Sequence, residues 1–142
     1  MTTISKKVQQ PKPTVLASPL VYRLALTALC SAYIQGPLVK IADFNGAIGE
    51  MTHFGLHPAP VFAVGVIVFE LVMSALVISG VLRWAAALAL AGFTLMATFL
   101  ALRFWEVPVG PDRAMAMNGF FEHIGLVGAF VVVAITDRVG RI

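Results

Sequence analysis

The sequence is short of cysteine, of charge and of the loops that bind nucleotides, and each shortage closes off a class of function. Cys30 is its single thiol, so no intrachain disulfide, CxxC motif or multi-cysteine metal site can form, which removes dithiol exchange chemistry. Lying inside an apolar segment, Cys30 reads as a small packing residue. There is no glycine-rich nucleotide loop and no pair of histidines at the spacing of a bundle haem site, so the chain stores no electrons by itself. His53 and His57 are four apart, but a glycine lies between them and the pair reads as interfacial histidines rather than as a metal site.

Charge is the scarcest commodity. Only 12% of the 142 residues are charged while 59% are hydrophobic, with a mean hydropathy of +0.91; a soluble domain has about a quarter of its residues charged. This is the composition of one compact membrane domain. The formal net charge of +3 does not indicate a nucleic-acid partner, because the basic residues stand at the ends of apolar segments rather than on one face.

What is present is a series of long apolar runs. The most informative, Val61 to Leu82, is long enough to cross a hydrocarbon core of about 30 Å as a helix, and it carries one ionisable group, Glu70, near its middle. A charge there costs roughly 2.5–3.5 kcal/mol on insertion scales, so something must pair with Glu70, protonate it or wet it. Ser74, one turn on, is a local hydrogen-bond candidate. Before this run, a polar tail of residues 1–18 with Lys6, Lys7 and Lys12 resembles the basic flank of a signal sequence. The apolar run that follows is too long and lacks a small-x-small cleavage site, so an uncleaved helix is expected over about Pro19 to Val39. In that helix Ala28, Ala32 and Gly36 form a smooth ridge for close packing, and Arg23 sits one turn inside its end, either snorkelling to headgroups or specifically paired.

Lys40 to Pro60 is mixed in character, and Phe44, Ile48 and Met51 are spaced as the apolar face of a short interfacial helix ended by Gly55 and Pro58. A third span is expected from Trp84 to about Phe104, with an alanine ridge at Ala85, Ala89, Ala97 and Ala101, and with Thr94 and Thr98 returning their hydroxyls to backbone carbonyls. A turn-rich loop over residues 107–113 precedes a fourth span from about Ala114 to Ile135, where Asn118 and Glu122 share a face beside His123. The predicted fold is therefore all-α: an integral membrane four-helix bundle over residues 19–136, with a short interfacial helix between its first two spans and a short tail over 137–142. With four crossings, Lys6, Lys7, Lys12, Arg83, Arg138 and Arg141 fall on one side, and Lys40, Arg103 and Arg113 on the other with four acids. Both termini are expected to be cytoplasmic.

This orientation puts Glu70 and Glu122 at similar depth, where they are expected to face one another and hold a proton between them or with His123. Arg103 and Lys40 enter from the outer surface as candidate counter-ions. The expected intramembrane polar site is thus Glu70, Asn118, Glu122 and His123, with Arg23, Lys40 and Arg103 as charged neighbours and no metal. Buried polar groups that merely joined helices would not need charge, which favours a functional cavity.

Several of these residues carry a family resemblance. Arg23, the turn Gln35-Gly36-Pro37-Leu38-Val39-Lys40, the loop Phe54-Gly55-Leu56-His57-Pro58, Glu70, Gly80 with Arg83, the alanine-rich third helix, Asn118, Gly125 and Gly128 resemble, in order and spacing, the DoxX family of small four-helix membrane proteins. The Glu122-His123 pair and the Arg103-Phe104-Trp105 end depart from that pattern. The resemblance implies a bacterial inner-membrane protein. Some members are membrane subunits of thiosulfate:quinone oxidoreductase, others accompany oxidant-resistance complexes, and many have no assigned activity. An apolar slot with an acid beside a histidine suits a quinone, which makes a membrane subunit or anchor of a redox assembly, with a redox partner protein, the first functional expectation. A small proton- or cation-coupled carrier, dimeric because four helices are few, and a structural assembly factor are the alternatives.

Overall fold

A computed structural model describes residues 18–140, and the expected N-terminal tail lies, apart from Ser18, outside the described residues. The described residues form six α-helices and one 3-10 turn: α1 (Pro19–Leu29), α2 (Ser31–Ala42), α3 (Phe44–His53), α4 (Ala59–Ser79), α5 (Arg83–Ala101), the 3-10 turn Phe104–Glu106, and α6 (Pro111–Val139). Three of them are long and apolar enough to cross a membrane, α4, α5 extended through the 3-10 turn, and α6, and the α1 and α2 pair passes the same test as a fourth, bent span. The protein is an all-α integral membrane bundle.

The first span differs from the straight helix expected. It is two helices bent by 48° at Cys30, whose ψ of 0° takes the backbone out of the helical range. Cys30 is fully buried with its thiol beside the Ser74 hydroxyl of α4, so the bend sits where the span leans on its neighbour. Pro37 lies inside α2, and the helix continues to Ala42.

α4 packs against α1, α2, α3 and α5, and α5 lies along α6 for most of its length. One core gathers Leu26, Cys30, Tyr33, Val77, Leu90 and Phe130, with Ala86, Ala87, Ala91 and Ala134 filling the close approaches. The buried stripe of α5 is Ala86, Ala87, Leu90, Ala91, Thr94 and Thr98, about one residue round from the alanine ridge read in the sequence. In a helix with alanine on every side, the small residues do not mark which face is covered.

The two ends of the bundle are built differently. At one end Gly80 takes the left-handed conformation (φ 92°) that ends α4, its N–H donating to the Leu76 carbonyl. Arg83 then folds back: its Nε donates to the Val77 carbonyl at 2.7 Å, Nη1 meets Asp137 at 3.4 Å, and the guanidinium lies 5.3 Å from the centroid of the Tyr22 ring. Arg138 stacks on Trp84 at 4.4 Å. These contacts tie α1, α4, α5 and α6 together. At the other end Asp43 caps α3 by accepting from the Gly46 N–H, and α3 packs Ala47, Ile48 and Met51 against Ala59, Ala63 and Val66. The interfacial helix thus exists as expected, with Ala47 rather than Phe44 on its covered face, so that α3 roofs this end of the bundle.

Candidate functional site

Beneath α3 lies a cavity of about 370 Å³ enclosed by α2, α3, α4, α5 and α6. Its mouth carries an ion pair. Lys40, in the last turn of α2 where a cation meets the negative helix end, bonds Glu50 of α3 at 3.1 Å. The walls are apolar, with Met51, Phe62, Val66, Phe93, Leu100 and Leu126 among them.

Glu70 stands on the inner wall. It is eleven residues from the start of α4, about 17 Å along a helix that is about 32 Å long, and therefore near mid-span. Its Oε2 is buried and makes no hydrogen bond. Gly36 of α2 passes beside it, and a methyl at that glycine would lie 3.8 Å from Oε2, so the absent side chain is what leaves room at the carboxylate. Lys40 and Glu50 are the charges that act on it. Ser74, the local partner expected from helical spacing, does not bond it: its hydroxyl is buried and makes no hydrogen bond.

Opposite Glu70, α5 and α6 contribute a short hydrogen-bond ladder. Thr94 donates its hydroxyl to the Leu90 carbonyl at 2.7 Å and Thr98 donates to the Thr94 carbonyl at 2.6 Å, the backbone use expected from sequence. Each hydroxyl oxygen then serves a second partner: Thr94 pairs with the Tyr33 hydroxyl of α2, and Thr98 pairs with His123 Nδ1 at 3.0 Å. A threonine has one proton to give. With both protons committed to carbonyls, Tyr33 donates to Thr94 and the His123 Nδ1–H donates to Thr98. The neutral imidazole therefore keeps its lone pair on Nε2. His123, Tyr33, Thr94 and Glu70 all line the cavity.

Of the residues singled out in the sequence, Glu70, His123 and Lys40 come together here. The expected facing pair of carboxylates does not form. Glu122 and Asn118 lie on the outward side of α6, both exposed, because the histidine next to Glu122 takes the inward position and a helix turns about 100° per residue. Arg103 is at the surface, paired with Glu106 at 3.1 Å, and Arg23 is exposed on α1. Tyr33 and Glu50 were not anticipated. Tyr33 precedes Pro37 by one turn and Glu50 follows Lys40 on the next helix, but neither relation is visible until α2 and α3 are folded together. Among the described residues, no three His, Cys, Asp or Glu side chains are grouped to hold a metal ion.

Comparison with known proteins places this geometry. A model of the DoxX family matches residues 18–103, more than half of the chain, taking in α1 through α5 and hence Tyr33, Lys40, Glu50, Glu70, Thr94 and Thr98, while His123 lies beyond the match. The chain is also 24% identical over 123 residues to the inner membrane protein YphA of Escherichia coli (strain K12), an overlap covering 84% of this chain and 85% of that protein. No solved structure matches. The chain belongs to the DoxX family.

Proposed function

We propose that the cavity beneath α3 receives the headgroup of a membrane quinone and that the protein is the membrane subunit of a redox assembly whose partner supplies the electrons. The carrying observation is Glu70 Oε2, a buried oxygen without a hydrogen bond in a cavity of about 370 Å³. Such a volume lies in the ordinary range of about 300–1,000 Å³ for small-molecule sites, which are apolar with a few convergent polar groups. A buried oxygen left unpaired costs roughly 1–3 kcal/mol, which a ligand group bonding it would return. Bound there, a quinone supplies two-electron, two-proton chemistry.

The chain's own residues would then bind and manage protons. Glu70 in its acid form donates a hydrogen bond, and as carboxylate it accepts one. His123 Nε2 is a proton acceptor fixed in place by the Nδ1–H bond to Thr98. The phenylalanine and leucine side chains make the walls apolar, and the Lys40–Glu50 pair lines the same cavity with both side chains partly exposed. In this reading the protein lies in a bacterial inner membrane, as its relative's name states for that protein, with both termini cytoplasmic and the mouth outward, the arrangement favoured by the sequence order of Lys6, Lys7, Lys12, Arg83, Arg138 and Arg141 about four crossings.

Titration calorimetry of the detergent-solubilised protein with a short-tailed ubiquinone tests this. Saturable binding near one quinone per chain, lost in Glu70→Leu and in His123→Phe, is the expected result. Absence of binding together with proton flux in vesicles that Glu70→Gln abolishes would replace the proposal with the carrier reading.

A further inference from the structure

The cavity opens sideways as well as toward α3. Two of its lining residues, Phe62 of α4 and Met96 of α5, are 40% and 62% exposed on the outside of the bundle, so the wall between these two helices is a window rather than a seal. Outside the window a second apolar hollow, of about 360 Å³, runs along α4 and α5. It shares Phe62, Val66 and Phe93 with the cavity and adds Val61, Gly65 and Phe69. Gly65 is exposed, and a side-chain atom built there would meet nothing within 4 Å, which keeps the hollow open. Phe62 and Gly65 precede the mid-span Glu70 by eight and five residues, about 12 Å and 8 Å along the helix. The window therefore lies inside a hydrocarbon half-thickness of about 15 Å and faces acyl chains.

We infer that the ligand of the cavity carries a long apolar chain, which leaves through the window between Phe62 and Met96 and lies in the α4–α5 hollow, and that the ligand enters from the membrane by the same path. This rests on the quinone reading of the cavity and adds to it a tail of the isoprenoid class. Continuity chooses the occupant. A headgroup bonded to Glu70 fills the cavity, and its chain then has two ways out. One runs past the Lys40–Glu50 ion pair, where a hydrocarbon chain would displace water from two charges at a cost. The other passes Phe62, Val66 and Phe93, which line cavity and hollow alike, so the chain keeps apolar contact from headgroup to lipid. Every residue lining the hollow is apolar, which offers a headgroup no partner there and suits a hydrocarbon chain.

Titration calorimetry in one detergent, with the tail-less ubiquinone headgroup and its decyl-tailed analogue, tests the path. The parent is expected to bind the tailed quinone more tightly than the headgroup. Gly65→Phe fills the hollow at a residue that does not line the cavity. It is expected to bind the headgroup as the parent does and to lose about five- to tenfold of the affinity for the tailed quinone. Partition of the tail into detergent is common to both proteins and cancels between them. Val64→Phe, exposed on α4 outside the hollow, is expected to keep the parent's affinities. Photolabelling of the parent with a quinone carrying a diazirine in its alkyl tail is expected to mark α4 between Val61 and Phe69, or Phe93, and does not depend on any variant folding. An unchanged tail advantage in Gly65→Phe, an equal loss in Val64→Phe, or labels confined to α1 or α6 overturns the inference and leaves the quinone reading standing. A parent that binds neither quinone overturns both.

Discussion

In a Glu70→Leu variant the polar atoms removed are those of a carboxylate whose Oε2 is buried without a hydrogen bond. Leaving such an atom unpaired costs roughly 1–3 kcal/mol, and leucine abolishes that cost while filling the space beside Gly36. Against it stands the lost attraction of Lys40, which already holds Glu50 at 3.1 Å and is partly solvated, so that this contribution is at most about 1 kcal/mol. The balance is a stabilisation of about 1–2 kcal/mol, or a rise in melting temperature of about 2–8 °C for a chain of this size. Differential scanning fluorimetry of the purified protein in one detergent checks it, with Glu70→Gln as a companion that keeps the shape. A Glu70→Leu protein that melts several degrees lower would refute the reasoning, since it would mean that the carboxylate joins helices rather than waiting for a ligand.

Other expectations rest on separate parts of the structure. Thr98→Val removes the acceptor of the His123 Nδ1–H, so nitrogen NMR of labelled histidine should show the Nδ1-protonated tautomer in the parent and its loss in the variant. Gly80→Ala places a methyl 2.9 Å from Arg83 Nη2 at a φ of 92°, and a destabilisation of at least about 1–2 kcal/mol is expected from the left-handed conformation alone, measured by thermal melting. Phe130→Ala empties a fully buried site against Tyr33 and should cost about 3–5 kcal/mol by the same assay.

The membrane spans and their order were legible because hydrophobic runs of bilayer length have few other readings, and α3 was legible because the spacing of Ile48 and Met51 is a local signal, whereas its cap, Asp43, became apparent only in the structure. Glu70 was legible as an anomaly, one acid inside such a run. What the sequence did not carry is rotation about the helix axis. On α6, Glu122 and His123 are neighbours in sequence and only one faces the cavity; the periodicity of a helix that is apolar nearly all round does not say which. The same ambiguity moved the buried stripe of α5 away from the alanine ridge. The bend at Cys30 was hidden for another reason: it is a change in one ψ angle within an uninterrupted apolar run. The link between Tyr33 and Thr94 joins residues 61 positions apart, a relation that only the packed bundle creates.

The central claim is that the polar groups around Glu70 hold a quinone, and the most direct measurement is the quinone content of the protein purified from its native membrane in mild detergent, quantified by mass spectrometry per chain. Close to one quinone per chain is expected in the parent, and loss of that quinone in Glu70→Leu while the variant remains folded. A parent protein that carries no quinone above the level of its co-purified lipid, or a Glu70→Leu variant that retains it in full, would contradict the claim.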